Sequence, residues 1–262
     1  MVETKQSPSA RLIVNLVASM VLALAGLFLV RCMVPASWLH ANNEVAGSYL
    51  QTLGTIYAVL LAFVVFVVWQ QHNDTRSAVE KEANELSDFH RILQALPGTQ
   101  PVQDCIHAYG RIVVDEEWKD MARGSWSQRA ERALEEMWHA LQGVEAHGGR
   151  EEALYAEALA RFNDLSDARS QRLHFSLLRL PPSLWVLLLT NGGLLVGSMW
   201  IFGLESFSAH ALMTMALAVS IAFILYLVAD LDNPFWGSWR VEPNAFRRTL
   251  ESGLKDKSTG GR

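Results

Sequence analysis

Residues 51–69 read QTLGTIYAVLLAFVVFVVW, with no Asp, Glu, Lys or Arg among them. That length is close to the ~20 residues with which an α-helix crosses a ~30 Å hydrocarbon core. Three further runs, 12–30, 184–202 and 211–229, are as apolar and as free of formal charge. A soluble domain has no use for four such segments. The chain therefore reads as an all-α membrane protein with four transmembrane helices. About a hundred polar residues separate the second span from the third, and they form an inserted cytoplasmic helical bundle. The expected layout is 1–70 for the N-terminal tail and spans one and two, 71–180 for the bundle, 181–230 for spans three and four, and 231–262 for a cytoplasmic C-terminal tail.

Orientation follows the bias of Lys and Arg toward the cytoplasmic side. Lys5 and Arg11 precede the first span, Arg76 and Lys81 follow the second, and Arg161, Arg169, Arg172 and Arg179 lead into the third. Arg240, Arg247 and Arg248 follow the fourth, whereas the loop from 31 to 48 has one arginine and the loop around Glu205 has neither Lys nor Arg. Both termini and the bundle are expected in the cytoplasm, with the lipid bilayer as first partner of the spans. The first run is longer than a signal-peptide core, and Val34-Pro35-Ala36 is a poor cleavage site, so it reads as an uncleaved anchor. Trp69, Trp185, Trp200, Trp236 and Trp239 fall near span ends, where indoles favour the interface.

The bundle reads as helix throughout. Val79, Ala83, Leu86, Phe89 and Leu93 recur at helical spacing until Pro97-Gly98 stops the run. Val102, Ile106, Tyr109 and Val113 mark a second helix that Gly124 closes. Ser127 is the expected cap of a third, which Gly148-Gly149 breaks, and a fourth runs from Glu151 toward the membrane. The second span runs into the Val79 pattern without Gly or Pro, so one helix is expected to leave the bilayer unbroken. The fourth bundle helix is expected to do the same in reverse, with a kink at Pro181-Pro182.

No motif for catalysis is present: no nucleophile elbow, phosphate loop or zinc-protease pair. No enzyme activity, metal or cofactor is expected. The histidines lack a common ligand spacing and read as surface or packing residues. Glu116-Glu117 and Glu135-Glu136 read as solvated helix faces. Cys32 and Cys105 read as unpaired. The net charge of −5 gives no footing to a nucleic-acid partner. The spans carry no Asp or Glu, and their nearest His, His210, sits at an outer edge, which speaks against a proton-driven pump.

One stripe of the second span, Gln51, Thr55, Ala58 and Ala62, continues Gly47 at about every fourth residue with small or weakly polar side chains. It reads either as a close helix-packing face or as the lining of a narrow pore in an oligomer. Gly193-x-x-x-Gly197 reads as helix packing. Arg169, Arg172 and Arg179 read either as positive-inside bias with structural ion pairs or as an electropositive vestibule that attracts anions.

The segment Leu231-Asp232-Asn233-Pro234-Phe235-Trp236-Gly237 is similar to the Asn-Pro-Phe-Gly segment of bestrophin chloride channels, with one residue inserted. The wider pattern resembles a bacterial bestrophin-like family over about 45–246. It comprises Gly54-Thr55-Ile56-Tyr57, Ala62-Phe63, Val79-x-x-Glu82-Ala83, Glu117-Trp118, Arg169-x-x-Arg172, Leu180-Pro181 with Trp185, and Val241 with Pro243. The resemblance implies a homo-oligomer, with a pentamer as the bestrophin precedent, and a pore along the second helix for small inorganic ions, anions above all. The acidic run of the bestrophin calcium clasp is missing, since Ser238-Trp239-Arg240-Val241-Glu242 stands there. The alternative reading is a non-conducting sensor or scaffold whose bundle binds a partner.

Overall fold

The computed structural model describes residues 8–35, 38–39 and 43–259. Lys5 and Ala36, used above for orientation and cleavage, lie outside them. Among the described residues there is no β-strand, and four helices are long and apolar enough to cross a membrane. In chain order the helices are α1 (Pro8–Met33), α2 (Asn43–Gln94), α3 (Gln100–Ile112), a π-helical segment (Val113–Glu117), α4 (Trp118–Ala122), α5 (Gln128–Gln142), α6 (Gly149–Leu177), α7 (Pro182–Trp200), α8 (Phe207–Leu231) and α9 (Asn244–Thr259).

Two compact units emerge: Met1–Gln70 with Arg179–Asp232, and Gln71–Leu178 with Asn233–Arg262. The first holds the four apolar helices. Its core joins Tyr57, Leu61, Val64 and Val68 of α2 to Leu188 and Leu195 of α7 and Ile221 and Val228 of α8. Outside this core it displays apolar side chains such as Ile13, Leu22 and Phe28, as helices solvated by lipid do. At one end Asn43 Nδ2 donates to the Gly203 carbonyl (3.1 Å), and Gly203 N–H donates to Asn43 Oδ1 (2.9 Å). Arg31 donates to the Leu204 carbonyl and lies over the Phe207 ring.

The second unit buries Val79, Leu86, Phe89 and Leu93 of α2 with Val102, Ile106 and Tyr109 of α3, Met137 and Leu141 of α5, and Phe162 and Leu165 of α6. The segment after the fourth span is no loose tail: Phe235, Val241 and Phe246 lie in the same core. The apolar periodicity read from the sequence is therefore the core of this unit. Ser127 caps α5 as expected, its Oγ accepting from Ala130 N–H at 3.3 Å.

α2 runs unbroken for 52 residues, in keeping with the missing Gly and Pro. The expected continuity of α6 into the third span is not found. Leu178 is extended (φ −64°, ψ 131°) and so is Pro181 (φ −55°, ψ 139°). The cause is local: Pro181 in a continuing helix would clash with the carbonyl four residues before it, that of Leu177, where α6 ends, and Pro182 pushes Pro181 itself out of helical conformation.

Candidate functional site

In the first unit, α2 presents two different faces. Tyr57, Leu61, Val64 and Val68 are each no more than 7% exposed, and Tyr57 OH donates to the Leu188 carbonyl at 3.2 Å. Gln51, Thr55, Ala58 and Ala62 are all exposed within the single chain. Packing inside one copy thus does not use the small-residue stripe. Thr55 Oγ1 returns its proton to the Gln51 carbonyl at 2.9 Å, which leaves the Gln51 amide as the stripe's main outward donor.

Within one copy, the closest approach on α7 lies one position from Gly193. A Cβ on Gly193 would meet nothing within 4 Å, and one on Gly197 would meet only Trp200 of its own helix at 4.0 Å. The close approach occurs at Gly192, where a Cβ would stand 2.9 Å from Tyr57 OH and 3.1 Å from Ile221. Inside the chain, the partners Tyr57 and Ile221 meet the face of α7 that carries Gly192, and the face of Gly193 is left open.

The second unit holds what the sequence did not reveal. Arg169 and Arg172, expected to attract anions, are 4% and 0% exposed. Arg169 grips Glu117 with two hydrogen bonds, NH1 to Oε2 at 2.7 Å and NH2 to Oε1 at 2.8 Å. Arg172 grips Glu82 in the same way, Nε to Oε2 at 2.5 Å and NH2 to Oε1 at 3.1 Å, and its NH2 also reaches Glu117 Oε2 at 2.7 Å. Tyr109 OH donates to Glu82, and Arg172 NH1 approaches Met121 Sδ at 2.9 Å. The Trp118 and Phe246 rings flank the Arg172 guanidinium at 5.6 and 5.9 Å. Two carboxylates and two guanidiniums balance, so this cluster offers no field to an anion. The reading of Arg169 and Arg172 as an open vestibule is replaced by structural ion pairing. Arg179 lies outside the cluster and is half-buried. Burial lowers its pKa, with Asp232 acting in the opposite sense.

Glu117 was read as part of a solvated pair, and only Glu116 behaves so, meeting Arg129 at 2.6 Å on the surface. The π-helical segment explains the difference. Its wider turn carries an extra residue, so that both Glu117 and Trp118 turn inward after Val113. The jump from Val113 to Trp118 in the apolar spacing is the signal that could have exposed it.

Burial pushes the Glu117 carboxyl up, but Arg172 and Arg169 together outweigh it and hold the pKa below the usual value. Burial opposes the Arg172 charge, and Glu82 and Glu117 more than restore it. Burial, then Glu82, keeps Tyr109 a neutral donor. A depressed Glu117 contributes stability that is complete above its ordinary pKa of 4.5 and is lost as pH falls through the lower folded value. Melting temperatures of wild type and Glu117→Gln should therefore differ most near neutral pH and converge in acid. A gap that is constant with pH would refute this.

The motif after α8 is turn machinery. Asp232 Oδ1 accepts from Leu180 N–H at 2.7 Å. Asn233 Nδ2 donates to the Ala122 carbonyl at 3.2 Å while its Oδ1 accepts from Phe235 N–H at 3.3 Å, an Asx turn. Pro234 accepts from Val241 N–H at 2.7 Å, and the Val241 carbonyl accepts from Trp118 Nε1 at 2.9 Å. Phe235 meets Trp118 edge to face at 5.4 Å. Gly237 has φ +95°, a conformation that favours glycine.

A family model described as the bestrophin-like domain matches residues 17–246. The chain belongs to the bestrophin-like family. This bestrophin-like chain is also similar in structure to a bacterial bestrophin homologue from Klebsiella pneumoniae, at 15% identity and a TM-score of 0.67, covering 93% of this chain and 97% of that one. A point variant of the Klebsiella homologue gives 14% identity and a TM-score of 0.69 over 94% and 100%. At such identities the likeness is one of fold. No curated protein matches in sequence. The bestrophin family is one of channels rather than enzymes.

Proposed function

We propose that this bestrophin-like protein is a homo-oligomeric channel of the bacterial inner membrane, with its termini and second unit in the cytoplasm. It passes small ions, anions in preference, through a pore lined by Gln51, Thr55, Ala58 and Ala62. The observation that carries the reading is the face of α2 left bare by its own chain. In lipid, a small-residue face ordinarily finds a close-packed partner, yet here the opposite flank, Tyr57 to Val68, is the packed one. A ring of copies would turn the bare stripe to a common axis, where a neutral, narrow lining gates by constriction and dewetting. The anion preference is carried over from bestrophins. The chain's own contributions to it are the Gln51 amide and Arg179.

Ion flux into liposomes holding the purified protein tests this. Ala62→Trp is expected to abolish chloride flux, and Val17→Trp, on an exposed position of α1, to leave it unchanged. Flux that ignores Ala62→Trp, or none from the wild type under any gradient, would sink the channel.

A further inference from the structure

His210 and Thr214 stand one turn apart on α8, and both are fully buried. The His210 ring meets the Met199 carbonyl of α7 through Nε2 at 2.7 Å, while its Nδ1 has no hydrogen-bond partner among the described residues. The Thr214 hydroxyl has none either. A carbonyl only accepts, so Nε2 carries the proton, and Nδ1 of the neutral ring is then a bare lone pair. Thr214 also differs from other hydroxyls of this unit. Those of Thr55, Ser198 and Ser220 each return to the carbonyl four residues earlier, at 2.7–2.9 Å, a common bond for Ser and Thr inside a helix. Thr214 makes no such bond, so its hydroxyl is turned away from its own backbone.

We infer that His210 Nδ1 and Thr214 Oγ1 hold one water molecule between them, as a fixed part of the first unit. Side chains four residues apart on a helix lie one above the other, with Cβ atoms roughly 5–6 Å apart. The two atoms share a face without bonding each other directly. A water can donate to the ring nitrogen while it donates to or accepts from the hydroxyl, and two polar partners suffice to retain it. Protein groups that could serve instead are already committed: Ser19 Oγ donates to the Leu16 carbonyl at 2.8 Å and Trp200 Nε1 to the Ala23 carbonyl at 3.0 Å. Hydrocarbon offers neither donor nor acceptor, and at 0% exposure neither residue is within reach of lipid or of a second copy. Left bare, both atoms would carry the full cost of desolvation. The water completes a chain from Thr214 through His210 to the Met199 carbonyl, which ties the start of α8 to the end of α7.

The sign of one small substitution tests this. Thr214→Val keeps the shape of the side chain and removes its hydroxyl. Were that hydroxyl bare in an apolar interior, its loss would raise the melting temperature of the detergent-solubilised protein. If it holds a water shared with His210, its loss should lower the melting temperature by about 2–6 °C. His210→Gln keeps an N–H for the Met199 carbonyl and removes Nδ1, so in that background Thr214→Val should no longer lower it. A melting temperature that Thr214→Val raises or leaves unchanged in the wild-type background, or lowers equally in both backgrounds, overturns the inference. Should His210→Gln fail to fold, a cryo-electron microscopy map fine enough to show ordered water decides instead. The wild type should carry one density within hydrogen-bond reach of both atoms, and Thr214→Val should lose it. No such density in the wild type, or one that survives Thr214→Val, overturns the inference as well.

Discussion

Arg172→Met should lower the stability of the second unit by about 3–5 kcal/mol, the range for breaking a buried ion pair from one side. Methionine keeps much of the volume but strands two carboxylates. Glu82 loses both of its bonds to Arg172 and keeps Tyr109, and Glu117 keeps Arg169 and a long bond from Ser127 N–H. Glu82 and Glu117 are each fully buried, so water cannot replace the lost donors. Arg172→Lys should also destabilise, because an ammonium cannot hold Glu82 through two parallel bonds and reach Glu117 as well. Thermal unfolding of the detergent-solubilised protein, followed by helical circular dichroism, reads the effect directly. A melting temperature equal to the wild type's would mean that the cluster contributes nothing. Replacing all four charged partners together with apolar residues of matching volume should restore much of the loss, since a buried ionic cluster adds little over a well-packed apolar one.

Gly26→Leu should disrupt the first unit. A Cβ at Gly26 would lie 2.2–2.6 Å from three atoms of the Trp200 ring, closer than any real contact. The indole cannot simply swing aside, because its Nε1 donates to the Ala23 carbonyl at 3.0 Å. Overpacking of this kind costs about 1–3 kcal/mol, and more where the backbone must move. The expected result is a lower melting temperature and a shifted tryptophan emission, with Gly26→Ala intermediate. Unchanged emission would show that α1 and α7 do not meet through this ring.

The membrane helices were legible because length and missing charge suffice to recognise a span, and no tertiary detail competes with that signal. The second unit's core was legible for a related reason: Val79 through Leu93 and Val102 through Val113 repeat at helical spacing. Ser127 was legible because capping is local. What the sequence hid lies in pairing across distance. Glu82 and Arg172 are ninety residues apart, and each alone looks like a polar residue on an amphipathic helix. The family pattern contained all four charged positions, yet it carried no statement of what they touch. Glu117 was hidden further by the π-helical turn, which breaks the periodicity that sorts inside from outside. Gly192 was missed because a GxxxG spacing draws the eye to its own two glycines, whereas the tight place was set by Tyr57 and Ile221 on other helices.

The charged cluster also sets a timetable for the nascent chain. Ribosomes deliver about 5–20 residues per second, so Glu82 waits roughly 5–20 s before Arg172 leaves the tunnel. Even then the unit cannot close, because Phe235 and Phe246, which complete its core, are translated only after the last membrane helix. Until that moment the half-built unit lacks part of its apolar core. The core of the second unit is thus finished only by aromatic residues that follow the last apolar helix in the chain.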